Sequence, residues 1–272
     1  MENAQYTLFL WLRGAFPRRI AYQLLLKGIV ASPEDMIAGR TLLSNFNINI
    51  ATMTFPDTGP IMVDSDPSDP KPREKSTPCL RIRHADGRED WINESTAIMF
   101  YIEDAFPDFK SLAPHDTLKR AQAVDLITQI NLLGVDFTYY LRHAAPVTSW
   151  WTELPDEDRS LGAARNALHA MTKAMVKLQD GASGSLDETG WLTPGVDGPG
   201  IIDVALAANH RYLKLSYEFD CLEDERLDKM RSWWNRFTQL EWWEGFEEVG
   251  DVHPPQMRWT KEVREVKNVH GG

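Results

Sequence analysis

A hairpin that runs straight into a helix start constrains this chain more than any other stretch. Leu80, Ile82 and His84 alternate with Arg81 and Arg83 up to Asp86-Gly87, and a second strand follows through Trp91-Ile92. Asp-Gly between alternating runs signals a tight hairpin, because the turn needs a positive φ that glycine accepts. Glu94-Ser95 then open a helix with Ala97, Ile98, Tyr101, Ile102 and Ala105 on its apolar side. Upstream, Ser76-Thr77-Pro78-Cys79-Leu80 leads into the first strand. Proline cannot donate to a ladder, so Pro78 belongs at the strand's first position or on an edge. A tight bend there favours a cis Thr77–Pro78 bond and an outward-facing Thr77 peptide. Beside the helix start this makes a site for a peptide-like ligand. Thr77 would pair with the ligand backbone, the helix N-terminus would take its carboxylate, and Glu94 its ammonium.

The rest of the chain carries companion motifs. Pro17-Arg18-Arg19-Ile20 and Lys27-Gly28-Ile29 bracket a first helix, and Gly200-Ile201-Ile202-Asp203-Val204-Ala205 opens a later one. Taken in order with Thr77-Pro78-Cys79-Leu80, Asp86-Gly87 and Glu94-Ser95-Thr96-Ala97-Ile98, they resemble the glutathione transferase superfamily over nearly the whole chain. The resemblance implies an α/β thioredoxin-like N-terminal domain followed by an all-α helical-bundle C-terminal domain. It also implies glutathione as cosubstrate and a homodimer. The expected boundaries are a glutathione-binding domain over 1–107, a linker over 108–114, a helical substrate domain over 115–249 and a tail over 250–272.

Along the chain, Tyr6–Leu12 reads as a strand buried on both faces. Pro17 fits the first position of the helix that follows, and Gly28 stops that helix. Ser32-Pro33-Glu34-Asp35 looks like a helix start, and 47–53 like a second strand. Residues 56–75, rich in Pro, Asp, Ser and Lys, read as an inserted loop where the resembled family places a short helix. Asp116 can cap a long helix with Leu118, Ala121, Ile127, Ile130, Leu133, Phe137, Tyr140 and Leu141 inward. A second long helix follows from Leu161, a buried helix from Ile201 to Leu215, and a last one carries Leu227, Met230, Trp234 and Phe237.

The formal net charge of −11, with no basic stripe to offset it, argues against a nucleic-acid partner. No stretch approaches the length of a membrane span, and the first apolar run is too short and lacks the basic lead-in of a signal peptide. Two cysteines, Cys79 and Cys221, make neither a disulfide framework nor a metal site, so a reducing cytoplasm is the expected compartment. The histidines show no spacing suited to a metal.

Glutathione chemistry needs the cysteine sulfur as thiolate. The resembled family supplies a Tyr late in the first strand, or a Ser or Cys near the start of the first helix. Here that turn is Leu12-Arg13-Gly14-Ala15-Phe16-Pro17, and the phenol position falls on Phe9 or the hydroxyl position near Gly14. The usual activating residue is missing. Arg13 and Arg18, flanking a helix N-terminus, remain as electrostatic candidates. For Arg18 and Arg19 the competing reading is a solvated helix face. For Glu94 and Ser95 it is plain helix capping, and for Lys75 a loop edge. Cys79 reads as a small core residue. In the resembled fold the first long helix of the second domain walls the pocket for the second substrate. The resemblance thus implies a role in binding it for Tyr139 and His143, which lie four apart on one helix face, and for Phe16 in the first domain. Tyr139 or Tyr140 is the candidate proton donor. The competing reading makes Tyr140 core and His143 a surface cap near Pro146. The paired tryptophans Trp150-Trp151, Trp233-Trp234 and Trp242-Trp243 read as packing, with a place for some of them in the substrate pocket or a dimer seam as the competing reading.

These residues point to a glutathione transferase-like enzyme acting on a small electrophilic organic molecule by conjugation, glutathione-assisted isomerisation or ether cleavage. The alternatives are a glutathione-independent lyase, isomerase or cyclase on the same fold, and a non-catalytic binding member.

Overall fold

The computed structural model describes residues 4–54, 61–64, 66–144, 154–250 and 252. The chain divides into two units, one of residues 1–113 with 238–252 and one of residues 114–237 with 253–272. The segment 238–252, expected at the end of the helical domain and in the tail, therefore belongs to the first unit. Trp150-Trp151, Pro146 and the expected tail beyond residue 252 lie outside the described residues.

The first unit is built on a five-stranded sheet in the order β3-β2-β1-β4-β5. β1 (Gln5–Leu10) is followed by α1 (Ala15–Lys27) and α2 (Pro33–Ile37), then β2 (Phe46–Thr54) and β3 (Ile61–Asp64). β4 (Cys79–Arg83), β5 (Glu89–Ile92) and α3 (Ser95–Ala105) complete it. β1 and β2 run parallel, and the other three pairings are antiparallel. Gly28 ends α1 at φ 78° and Gly87 turns the β4–β5 hairpin at φ 85°, both in the left-handed region that a side chain disfavours. β3 forms inside the segment expected to be a loop, pairing along β2 from Ala51–Asp64 to Thr54–Ile61. Pro17 stands at the third helical position of α1 rather than the first. It still lies in the first turn, where a missing N–H costs nothing.

One face of the sheet carries Tyr6, whose ring meets Phe46 at 6.0 Å and Phe106 at 5.3 Å. α1 and α3 meet through a polar seam. Gln23 Nε2 donates to the Met99 carbonyl and to Glu103 Oε1, both at 2.8 Å, and Lys27 Nζ donates to Glu103 Oε2 at 3.2 Å. On α3, Met99 and Glu103 are buried while Ala97 is exposed, so its inward stripe is rotated from the expected one.

The other unit holds α4 (Thr117–Ala144), α5 (Leu161–Thr189), α6 (Ile201–Tyr217) and α7 (Asp228–Phe237). Asp116 Oδ1 caps α4 by accepting from the Lys119 N–H at 2.8 Å. Leu118, Ala121 and Leu161 are exposed, and the buried stripes begin at Ala123 and Ala164. On α7, Trp233 rather than Trp234 is the fully buried indole. The glycine at the start of α6 is compensated from outside the helix. The Thr193 hydroxyl accepts from the Ile202 N–H at 3.0 Å, in place of the absent cap hydroxyl. Buried Asp203 accepts from the Leu192, Thr193 and Gly200 N–H groups, the Thr193 hydroxyl and Trp233 Nε1, at 2.7–3.1 Å.

The segment 238–252 is tied to α1 by charge. Arg18 Nε donates to Glu247 Oε1 at 2.9 Å, and the Tyr22 hydroxyl donates to the same oxygen at 2.6 Å. Arg18 also donates to the Leu12 carbonyl at 3.1 Å and the Val252 carbonyl at 3.0 Å. Both charged side chains are fully buried. Removing one partner of such a pair strands the other charge away from water. Glu247→Ala should therefore lower stability by about 3–5 kcal/mol, read as a fall in the urea midpoint.

Candidate functional site

Ladder register gathers the expected ligand residues at one end of the sheet. β1 pairs with β4 through Leu8–Leu80 and Phe9–Cys79, and β4 with β5 through Leu80–Ile92 and Arg81–Trp91. Carried two residues further, the β1–β4 count sets Trp11 opposite Thr77, while Glu94-Ser95 follow β5 by two residues at the start of α3. The hydroxyl of Thr77 fixes the first of these relations. It accepts from the Trp11 N–H at 3.1 Å and donates to the Phe9 carbonyl at 3.2 Å. The Thr77–Pro78 bond is cis, and Thr77 lies beyond the last paired residue of the ladder, Cys79.

Ser95 is the first residue of α3 and is buried, while Glu94 is the N-cap. The Glu94 side chain makes no capping hydrogen bond to its own helix, so its carboxylate is not consumed by the bland role open to it. Two further polar atoms of this sheet end, Trp11 Nε1 and Asn93 Oδ1, are buried with no hydrogen-bond partner among the described residues. Buried orphans of this kind are rare in folded chains and ask for a partner. A peptide ligand with ammonium, carboxylate and amide groups could satisfy both, so the donor and acceptor set fits glutathione. Neither residue was singled out from the sequence. For Trp11, the only signal is its place in alternation with Phe9 just before the Arg13-Gly14 turn.

That turn is tight. The Gly14 N–H donates to the Trp11 carbonyl at 2.9 Å, and a Cβ at Gly14 would sit 2.9 Å from the Trp11 ring and 3.1 Å from Pro17. Arg13 stands on it half-buried, and Phe16 follows with 48% of its surface exposed. The Arg19 guanidinium lies 5.0 Å from the Phe16 ring centre. Arg19 is fully buried rather than solvated, and burial lowers its pKa to about 10. Lys75 is no bare loop edge, since its ammonium lies 5.5 Å over the Trp91 ring. Trp91 in turn stacks on fully buried Phe9 at 5.9 Å. Phe9 is thus a packing residue with no hydroxyl to offer. Arg81 joins this stack, 5.7 Å from Phe9 and 5.8 Å from Trp91, and donates to Asp69 Oδ1 at 2.7 Å. That bond holds the Asp69 carboxyl below the usual carboxylate range.

Arg18 needs correction as a sulfur-stabilising candidate. All three of its guanidinium nitrogens are engaged by Glu247 and two carbonyls, so its charge is neutralised inside the fold.

In the other unit, Tyr139 and His143 do share a face of α4, ring centres 4.8 Å apart and edge-on. Tyr139 is 47% exposed. Tyr140 is buried against Phe219 at 5.6 Å, its hydroxyl has no partner among the described residues, and burial pushes its pKa to about 12. It is a core residue, which leaves Tyr139 as the accessible phenol. His143 Nδ1 accepts from the Ser160 N–H at 3.2 Å. Among the described residues no cluster of three or more His, Cys, Asp or Glu could hold a metal ion, and no helix is long and apolar enough to cross a membrane.

The chain has the fold of the glutathione transferases. A tau-class glutathione transferase from mango, Mangifera indica, superposes with a TM-score of 0.58 at 16% identity, over 97% of this chain and 98% of that one. A rice glutathione transferase in complex with glutathione gives 0.56 at 17% identity over the full length of both. A maleylacetoacetate isomerase from Anaeromyxobacter dehalogenans, with dicarboxyethyl glutathione and citrate in its active site, gives 0.56 at 19% identity over 94% and 97%. A trimeric glutathione transferase from Leishmania gives 0.57 at 14% identity over 96% of this chain, which spans about half (48%) of that protein. No family model and no curated protein matches the sequence.

The His143 contact has a pH signature. Burial, then the Arg142 and Arg159 charges, lower its pKa, and a ring that accepts through Nδ1 must be neutral. The unfolded imidazole takes a proton first, near pH 6.5, so this group's contribution is intact above that value and is lost as the pH falls below it. Denaturation midpoints at pH 7.5 and 5.5 should differ less in His143→Gln than in the unaltered chain.

Proposed function

We propose that the first unit binds glutathione across Thr77-Pro78 and Glu94-Ser95, and that the protein is a glutathione transferase-like enzyme acting on a small electrophilic organic molecule. The observation that carries this reading is the Glu94 carboxylate left uncapped beside buried Ser95, at a sheet end with two orphaned polar atoms. Thr77 would pair with the cysteinyl backbone of the tripeptide through its peptide groups. Ser95 and the N-terminus of α3 would receive a carboxylate, Glu94 the ammonium, and Lys75 a second carboxylate. Pro78 shapes the bend that presents Thr77.

Glutathione would supply the nucleophilic sulfur. With no phenol, hydroxyl or thiol in the β1–α1 turn, this reading assigns the thiolate's stabilisation to Arg13 and to the backbone N–H groups at the start of α1. The α1 terminus lacks any side-chain cap and any acid in its first turn, so its partial positive charge is not offset locally. Phe16 at this turn is the substrate-side candidate of the first unit; in the helical unit Tyr139 and His143 are the candidates, and Tyr139 replaces Tyr140 as the proton donor. The reading includes a homodimer. α4 leaves Leu118, Leu132 and Val135 more than 60% exposed, an apolar row that a second copy would cover.

Calorimetric titration with glutathione tests the binding, and a chloronitroaromatic assay tests the turnover. Ser95→Ala should weaken glutathione binding by about 1–3 kcal/mol through a lost hydrogen bond to a charged group. Unchanged affinity would reduce Ser95 to a packing residue, and no binding by the unaltered chain would turn the reading towards glutathione-independent chemistry in the same cleft.

A further inference from the structure

The helical unit contains a thiol–imidazole pair that the glutathione reading does not use. Cys221 Sγ lies 3.1 Å from His210 Nδ1. His210, on α6, is fully buried, and the Trp234 ring meets it edge-on at 4.5 Å and 89°. Its other nitrogen, Nε2, is buried with no hydrogen-bond partner among the described residues, and Asp220 Oδ1 stands 3.8 Å from it. Cys221 is only half-buried and lines a cavity of about 260 Å³. Leu168, Met171 and Met175 of α5, with Phe219, give that cavity apolar walls, and Asp220 and Asp224 lie at its polar side.

We propose that Cys221 is a nucleophilic thiol that captures small, uncharged α,β-unsaturated carbonyl compounds in this cavity, with His210 as its base. A thiol within hydrogen-bond reach of a base is the arrangement that activates a sulfur nucleophile. The S–H proton passes to Nδ1 as a sulfur electron pair forms the C–S bond to the β-carbon. The alkene π pair moves onto the carbonyl as an enolate, and His210 returns the proton to the α-carbon. Sulfur and hydrogen thus add across the double bond; nothing leaves and no oxidant is consumed.

The surroundings favour this class of ligand. Burial lowers the pKa of His210 to about 3, so the resting ring is neutral; that burial opposes the imidazolium, and the Asp220 charge is what favours it. The transient imidazolium would face the Asp220 carboxylate and the developing negative charge, opposed by Lys214 and Arg211. Lys214 is itself bound to Asp220 at 3.0 Å, and Asp224 to Arg226. The acids Asp220, Glu223 and Asp224 among the cavity's lining would repel an anionic disulfide. The other cysteine, Cys79, is fully buried in β4 of the first unit and is no resolving thiol. Soft methionine walls suit a polarisable carbon electrophile. A volume just under the usual range for ligand sites limits it to a compact one.

The test is alkylation of the full chain by N-ethylmaleimide at pH 6.0, where an ordinary thiol of pKa about 8.5 is about 0.3% ionised. Peptide mass mapping should place a single adduct on Cys221, formed at least tenfold faster in the native chain than at the same cysteine in urea. His210→Gln should slow the native reaction at least tenfold. If circular dichroism shows that variant unfolded, the native-to-urea ratio of the unaltered chain decides alone. A ratio of one or less, first reaction at Cys79, or an unchanged rate in folded His210→Gln would overturn the proposal. Cys221→Ser should leave glutathione affinity unchanged, so this proposal and the glutathione reading stand or fall separately.

Discussion

Backbone register is the constraint on which the candidate ligand site depends. Trp11 and Thr77, far apart in sequence, meet because β1 and β4 can pair in only one phase, and the β4–β5 pairing ends two residues before the Glu94-Ser95 helix start. A slip of one residue would turn every side chain of a strand to the opposite face. Tyr6 and Leu8 would leave the core, so the packing that makes the sheet stable also sets which peptide ends at the cleft. The Thr77 hydroxyl adds a local pin, bridging the Phe9 carbonyl and the Trp11 N–H across the last rung. The binding end needs no dedicated scaffold, because the hairpin that forms the edge of the sheet delivers the helix start.

Much of that arrangement is legible in the sequence, because it is encoded by neighbours. Asp86-Gly87 and Gly28 act through turn and C-cap chemistry within a few residues, and Glu94-Ser95 mark a helix start; all three stand where local rules put them. The α4 and α5 stripes are also legible, apart from their starts, where Leu118, Ala121 and Leu161 are exposed. A slip of one position on α7, Trp233 for Trp234, shows the limit of period reading over a helix of only ten residues.

What the sequence hides is long-range. Arg18 reads as a cleft cation until Glu247, 229 residues away, is placed against it. β3 is hidden by the Pro- and Asp-rich composition around it, since a short edge strand needs only β2 to pair with. Trp11 and Asn93 carry no motif at all; only their buried, unpartnered atoms mark them. The Cys221–His210 contact is equally silent, the two residues standing at a spacing that no metal or nucleophile pattern uses.

The union of 238–252 with the first 113 residues has a consequence for biosynthesis. Domains generally fold as they leave the ribosome, N-terminal first. Here the opening α/β unit has exposed its Arg18 guanidinium and the Tyr22 hydroxyl long before their acceptor is translated, and the whole four-helix segment must emerge in between. The nascent chain therefore carries a half-finished first unit through the synthesis of residues 114–237, a natural client for chaperones until 238–252 arrive to close it.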